Sequence, residues 1–374
     1  MRIVIVGGGP AAVEAALSIR EIDKISPVTL VSEEYIMPYR RPLLVKMLTE
    51  DVPDERFFIC SGDFYRRNNI SIRLNTAAVK IEPELNLLQL SSGETMEYDR
   101  LLLATGGNAI KLAFSGNQQQ KVYSFHKYND VMLLKNQLRP GIKTAIIGGG
   151  VLGLEIADRI IHIGGEVVLL ERSNRLLGSV LDQHGSNFLQ QQLEHIDKLT
   201  VLLNSRLLAL NPAGNRIHCQ SDSGKLPDFT ADLVISAIGI TPADNLLPAP
   251  WQCDEYLRLL PFQNIYAAGD VLKLPGVSGG IYRTARQMGA VAGMNAAGKK
   301  QRFVPIPPEM RSSFFNINIF SAGQSDCSNS QIKVQSDTNN WSKLCYQDNK
   351  LVGCTLIGDV RDGSNYYNAI VSKS

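Results

Sequence analysis

The sequence predicts an α/β fold with two domains built on βαβ units and a small α+β domain at the C-terminal end. Three observations carry that expectation. Two apolar strands run directly into glycine-rich turns, at Gly7-Gly8-Gly9 and at Gly148-Gly149-Gly150, which start 141 residues apart. Each turn opens a helix-forming stretch, and a second apolar strand ending at an acid follows. Beyond residue 300 the texture changes to prolines and then to alternating segments such as Phe315-Asn316-Ile317-Asn318-Ile319, which read as antiparallel strands.

Taken in order, Arg2-Ile3-Val4-Ile5-Val6 is rich in β-branched residues and suits a strand buried on both faces of a parallel sheet. Ala11 to Leu17 begins a helix with strong helix formers, and Val28-Thr29-Leu30-Val31 is the next strand, ending near Glu33. The pattern repeats with Lys143 to Ile147, the helix through Leu154-Glu155-Ile156-Ala157, and Val167 to Leu170 ending at Glu171. Three more apolar strands precede glycines: Leu101 to Ala104 before Thr105-Gly106-Gly107, Leu233 to Ser236 before Ala237-Ile238-Gly239, and Ile265 to Ala268 before Gly269-Asp270. The polar loop from Ser115 to Gln120 marks a crossover between domains. Pro305, Pro307 and Pro308 form a linker to a third domain near the lower size for independent stability.

Composition excludes several classes. The 374 residues fit two or three domains, and a formal net charge of +2 argues against a nucleic-acid or membrane-surface binder. With 44% hydrophobic and 20% charged residues the chain can bury ordinary cores. The six cysteines form no CxxC or CxxxxC pair, so no zinc site, no other metal centre and no local redox disulfide is expected. At this size a disulfide scaffold is not expected either, which points to a reducing cytoplasm. No apolar run reaches membrane-spanning length, and glycines followed by Glu14 break the N-terminal run that could imitate a signal peptide.

The turn residues have stated work in a Rossmann-like dinucleotide-binding domain. A first glycine makes the tight turn, a second lets the backbone approach a pyrophosphate at the helix N-terminus, and a third small residue packs helix on strand. In the first copy these are Gly7, Gly9 and Ala12, with Pro10 and Ala11 opening the helix; in the second they are Gly148, Gly150 and Gly153, with Val151 and Leu152. Glu33, or its neighbour Glu34, and Glu171 stand where a carboxylate accepts from a ribose hydroxyl. A carboxylate at Glu171 favours NADH over NADPH, although Arg172 beside it could blunt the preference. Two dinucleotide sites in one chain imply electron or hydride transfer between two cofactors.

The order GxGxxA, Ala104-Thr105-Gly106, GxGxxG with Glu155, Ala237-Ile238-Gly239 and Ala268-Gly269-Asp270 resembles the FAD-dependent pyridine nucleotide-disulfide oxidoreductases. Pro38-Tyr39-Arg40-Arg41-Pro42-Leu43-Leu44-Val45-Lys46, Asp254 to Arg258 before Asn264-Ile265-Tyr266, and Leu351 to Asp359 are similar to the NADH:rubredoxin and ferredoxin reductase branch and to the flavin part of NADH-dependent nitrite reductase. The resemblance implies an FAD domain from residues 1–110 and 232–300, an NAD domain at 111–231 and a C-terminal domain at 301–374. It places Asp270 at the flavin ribitol, Arg41 at the FAD pyrophosphate, Lys46 by the flavin ring and Glu155 near the nicotinamide, and carries Ala78, Val271 and Gly239 into the cofactor set. A helix N-cap at Asp270 is compatible with that role, and Glu155 could instead cap or pair within its own helix. Met288 stands where the branch usually has Gln, and packing accounts for it as well.

Disulfide reductases and peroxidases of that family need cysteine early in the chain, yet Glu33 to Lys46 contains none, so dithiol chemistry is not expected. The resemblance then implies hydride transfer from NADH to FAD, followed by electron transfer to rubredoxin, a flavorubredoxin or a ferredoxin, by a monomer or homodimer. Its rivals are an NADH oxidase making peroxide and a flavin-containing, NAD(H)-responsive subunit of a larger complex. Arg40, Arg41, Arg66 and Arg67 could form a docking patch for an acidic acceptor, or simply be solvated.

Overall fold

The computed structural model describes residues 1–112, 122–211, 216–221, 224–225, 228–248, 251–324, 327 and 331–372. The crossover loop expected from Ser115 to Gln120 lies outside the described residues. The chain divides into two compact units: Met1–Leu44, Asp51–Asn108 and Ile240–Ile306 form the first, and Val45–Glu50, Ala109–Gly239 and Pro307–Ser374 the second. No helix among the described residues is long and apolar enough to cross a membrane.

The first unit is organised by a five-stranded parallel sheet. Its order is Ile265–Ala267, Arg100–Leu103, Ile3–Val6, Val28–Val31, Ile70–Arg73, with Ile3 opposite Val28 on one side and Arg100 on the other. The four residues Ile3 to Val6 are all buried, as the unbroken β-branched run requires when helices cover both faces. The helix Pro10–Ile22 starts directly from the glycine turn, with Pro10 at a position where its missing N–H costs nothing. Across it lies the helix Tyr282–Ala296, and small residues set their distance. A Cβ on Gly289 would sit 2.2 Å from the Ala11 carbonyl oxygen, and one on Gly293 would sit 2.4 Å from that of Ala15. Met288 is buried in this core and serves as packing.

Arg20, at the last turn of the first helix, is buried, and burial lowers its pKa while the Asp23 carboxylate opposes that shift. Its nitrogens donate to the carbonyls of Asn68, Asp23, Ser26 and Asn69 at 2.6–2.8 Å. It ties the helix end to the entry of the strand Ile70–Arg73. Arg20→Met keeps the volume but leaves four carbonyls without their donor, at an expected cost of about 3 kcal/mol. A urea titration should show an earlier transition, and an unchanged midpoint would show that water replaces the guanidinium fully.

The second unit repeats the first sheet's plan: Leu199–Leu202, Glu166–Leu170, Lys143–Ile147, Leu233–Ser236 and Val122–Ser124, all parallel. Leu233–Ser236 pairs directly with Lys143–Ile147, and this unit runs on to Gly239. A second layer of this unit is the five-stranded antiparallel sheet Glu309–Phe314, Ile317–Gly323, Lys350–Ile357, Trp341–Gln347, Gln331–Ser336, with the helix Gly363–Val371 against it. Phe315 and Asn316 are not strand residues, contrary to the alternation; they form a two-residue turn at φ +51° and +60° between Phe314 and Ile317. Such a turn needs left-handed backbone at both positions, which asparagine tolerates. This sheet meets the neighbouring layer through Lys343, which pairs with Asp182 at 2.8 Å, and through Trp341, whose ring lies over Gly185.

The cysteines need one correction. Cys327 and Cys345 form a disulfide, both buried, with Cα atoms 5.9 Å apart. Their spacing of 18 residues carries no local signature. The cysteines therefore no longer argue for a reducing compartment. Cys60 is half-buried against the core, and burial raises its thiol pKa.

Candidate functional site

In the first unit the chain leaves Val6 through Gly7 at φ +133°, and a Cβ there would lie 2.1 Å from the Ala104 carbonyl oxygen. Only glycine fits this approach of two strand ends. Gly9 is the helix N-cap, offers no side-chain cap, and faces open space, with nothing within 4 Å of where a Cβ would be. No acid stands in the first helical turn, which also contains Pro10, Ala11 and Ala12. A helix N-terminus that is uncapped, open and free of carboxylates suits a pyrophosphate. Ser32, which no motif singles out, packs under the middle glycine: a Cβ on Gly8 would meet its Oγ at 2.5 Å.

Around that turn, Ala104 is buried, the Thr105 hydroxyl donates to the Ala243 carbonyl at 2.7 Å, and Gly106 takes φ +72°. Asp270 Oδ1 accepts from the Gly280 N–H at 2.7 Å, which fastens the loop entering the helix Tyr282–Ala296, and Val271 is buried behind it. Ala78 is half-buried at the start of the strand Ala78–Glu82. Of the two acids after the strand Val28–Val31, Glu33 is exposed, whereas Glu34 accepts from the Tyr39 hydroxyl at 2.9 Å and from Arg41 at 3.2 Å. Arg41 also lies over the Tyr39 ring, 5.7 Å from its centroid. Arg40 is spent on the carbonyls of Arg56, Phe58 and Ile59, and Arg66 pairs with Asp63. Three of the four arginines considered for a docking patch are thus engaged within the chain, leaving Arg67 with a single long bond to the Asp63 carbonyl at 3.4 Å.

The second unit repeats the cradle. Gly148 sits at φ +115° with a would-be Cβ 2.5 Å from the Ala237 carbonyl oxygen, and a Cβ on Gly153 would lie 2.0 Å from that of Gly148. Gly150 caps the helix Val151–His162 without a side-chain bond, faces open space and precedes Val151 and Leu152. Glu171 braces the turn: Oε2 accepts from the Gly149 N–H at 2.7 Å, and Oε1 accepts from the Ser173 N–H and hydroxyl at 2.7 and 2.6 Å. Oε2 keeps a lone pair for a further donor, whereas Oε1 already accepts two. Gly239, at φ +102°, accepts from the Ile110 N–H.

Lys46 and Glu155 fall in this same unit. Lys46 lies half-buried in the short helix Leu44–Met47, and Glu155 is in the second turn of Val151–His162. Burial raises the Glu155 pKa; a hydrogen bond from Ser312 and the charges of Arg159 and Lys46 oppose it, while Asp158 adds to it. Lys46 thus acts on Glu155 through its charge alone. Ser312 was invisible to sequence reasoning, because it lies 157 residues from its partner in a strand without a motif.

Comparison with known proteins follows the same lines. Residues 1–293 match the family described as pyridine nucleotide-disulphide oxidoreductase, and residues 312–374 match the rubredoxin NAD+ reductase C-terminal domain. An NADH-rubredoxin oxidoreductase of Clostridium acetobutylicum is 28% identical over 99% of this chain and 94% of its own length. A rubredoxin-NAD(+) reductase of Pseudomonas putida is 33% identical, over 65% of this chain and 63% of its own. The crystal structure of NADH:rubredoxin oxidoreductase from Clostridium acetobutylicum superposes with a TM-score of 0.79 at 27% identity, covering 99% of this chain and 95% of that one.

Proposed function

Because the chain belongs to the pyridine nucleotide-disulphide oxidoreductase family, we propose that it passes electrons from NADH through FAD to a small redox protein of the rubredoxin, flavorubredoxin or ferredoxin type. The observation that carries this reading is the pairing of two open glycine cradles with a C-terminal segment like that of rubredoxin reductases. The absence of cysteine from Glu33 to Lys46 supports it, since a dithiol route needs one there. FAD is assigned to residues 1–110 and 232–300, NADH to 111–231, and the C-terminal domain to 301–374.

Bound NADH supplies a hydride, and bound FAD accepts the electron pair and releases it singly. The chain's own work is binding and charge placement. Gly7, Gly9, Pro10 and Ala11 present the helix N-terminus to the FAD pyrophosphate, with Arg41 released from Glu34 as a second positive group. Asp270 holds the ribitol, and Ala78, Ala104, Thr105, Gly106, Val271 and Gly239 line the remaining cofactor contacts. Gly148, Gly150, Val151, Leu152 and Gly153 do the same for the NADH pyrophosphate. Glu171 accepts from the ribose 2′-hydroxyl and repels a 2′-phosphate, which sets NADH above NADPH. Lys46 stabilises negative charge on the reduced ring, and Glu155 stabilises positive charge growing on the nicotinamide. A cytoplasmic setting, where NADH is abundant, fits this work, with the chain acting as a monomer or homodimer.

The test starts from protein reduced anaerobically with NADH and then mixed either with oxidised rubredoxin or with air-saturated buffer. Flavin colour should return far faster with rubredoxin. Equal or faster return in air, with peroxide released, would contradict the reductase reading.

A further inference from the structure

The C-terminal hairpin Glu309–Gly323 grips the helix Val151–His162 at two acids one turn apart. The Ser312 hydroxyl donates to Glu155 Oε1 at 2.6 Å, and the Phe315 N–H donates to Asp158 Oδ1 at 2.9 Å. The tight turn at Phe315-Asn316 leaves that amide outside the strand ladder, so the hairpin tip can be fastened by it. Glu155 would otherwise be poorly held, because a glutamate carries three rotatable bonds whose ordering must be offset by a partner.

We propose that Ser312 is a positioning residue for Glu155, its hydroxyl fixing the carboxylate for the NADH half-reaction, so that the C-terminal domain completes the NADH side of the protein. The inference rests on the reading that Glu155 serves that half-reaction. A carboxylate aimed at the nicotinamide stabilises the positive charge that grows there, and the protonated acid does not. Among the groups that oppose burial, Ser312 contributes most. Burial and Asp158 favour the neutral acid; Arg159 and Lys46 favour the carboxylate, but Arg159 also pairs with Glu50. On the hairpin, Arg311 is bonded to Glu309 at 2.8 Å and also reaches the Ser364 hydroxyl. Ser312 alone among these groups makes a direct hydrogen bond to the Glu155 carboxyl.

The sign follows from donor chemistry. A hydroxyl donating to a carboxylate favours the charged form, so its loss moves the titration of Glu155 to higher pH. The experiment compares Ser312→Ala, Ser312→Thr and Glu155→Gln in the full flavin-loaded chain. One readout is the pH dependence of flavin bleaching by NADH under argon. The other, taken without NADH, is the carboxylic-acid C=O stretch in infrared pH titrations, assigned to Glu155 by its disappearance in Glu155→Gln. Ser312→Ala should raise both midpoints by about one pH unit and slow bleaching on the acid limb about tenfold. Ser312→Thr should restore both. Unmoved kinetics in Ser312→Ala, with Glu155→Gln slow, overturn the role of Ser312 and leave that of Glu155. Normal bleaching in Glu155→Gln overturns the reading of Glu155 itself, and this inference with it.

Discussion

Gly148→Ala should leave the flavin in place and raise the KM for NADH about 100-fold. The position requires φ +115°, which a side chain rarely adopts, and the added Cβ would stand 2.5 Å from the Ala237 carbonyl oxygen. That atom belongs to a neighbouring strand end and cannot swing aside as a flexible side chain would. Strain of this kind costs roughly 3 kcal/mol at one residue, which corresponds to about 100-fold in affinity. The loss should be confined to NADH, because the Gly7 turn, proposed for FAD, lies in the other compact unit. Flavin absorbance per chain and the KM for NADH, measured on one preparation, check both halves. A normal KM would mean that the second glycine turn is not where NADH binds.

Gly289→Ala is expected to act on the flavin by a different route. Its Cβ would lie 2.2 Å from the Ala11 carbonyl oxygen, so the helices Tyr282–Ala296 and Pro10–Ile22 must part or shift. Overpacking of a tight core contact costs about 1–3 kcal/mol, and here it displaces the helix whose N-terminus is proposed to hold the FAD pyrophosphate. Purified protein should be pale and should unfold earlier in urea. Gly9→Ala is the informative contrast. Its φ is −88° and nothing lies within 4 Å of the new Cβ, so stability should hold while FAD retention falls. Should Gly9→Ala keep its flavin as tightly as the parent chain, the open space at Gly9 would not be the pyrophosphate cradle.

What could be seen in the sequence follows the range of the interactions. Gly7 and Gly148 were legible because the need for positive φ and for close backbone approach is a local demand that one residue type meets. The parallel strands were legible from unbroken apolar runs such as Ile3 to Val6. The turn at Phe315-Asn316 was misread because its flanks alternate like a strand; a single asparagine was the sole hint of left-handed backbone. Long-range partners left no trace at all. Neither Ser312 with Glu155, nor Cys327 with Cys345, nor Lys343 with Asp182 sits in a spacing that any local rule recognises, since sheet register and layer packing bring them together. Arg40 and Arg41 illustrate the same limit from the other side. Their charge suggested a docking surface, while the fold commits one to three carbonyls and the other to Glu34.

The central claim is that one chain holds two cofactors and moves electrons between them. Anaerobic titration of the purified, FAD-loaded chain with NADH, followed by flavin absorbance, tests it most directly. The account predicts rapid bleaching complete at one NADH per FAD, since NADH gives one electron pair and oxidised FAD takes up one. A chain that takes up no FAD, or a flavin that stays yellow in excess NADH, would contradict it.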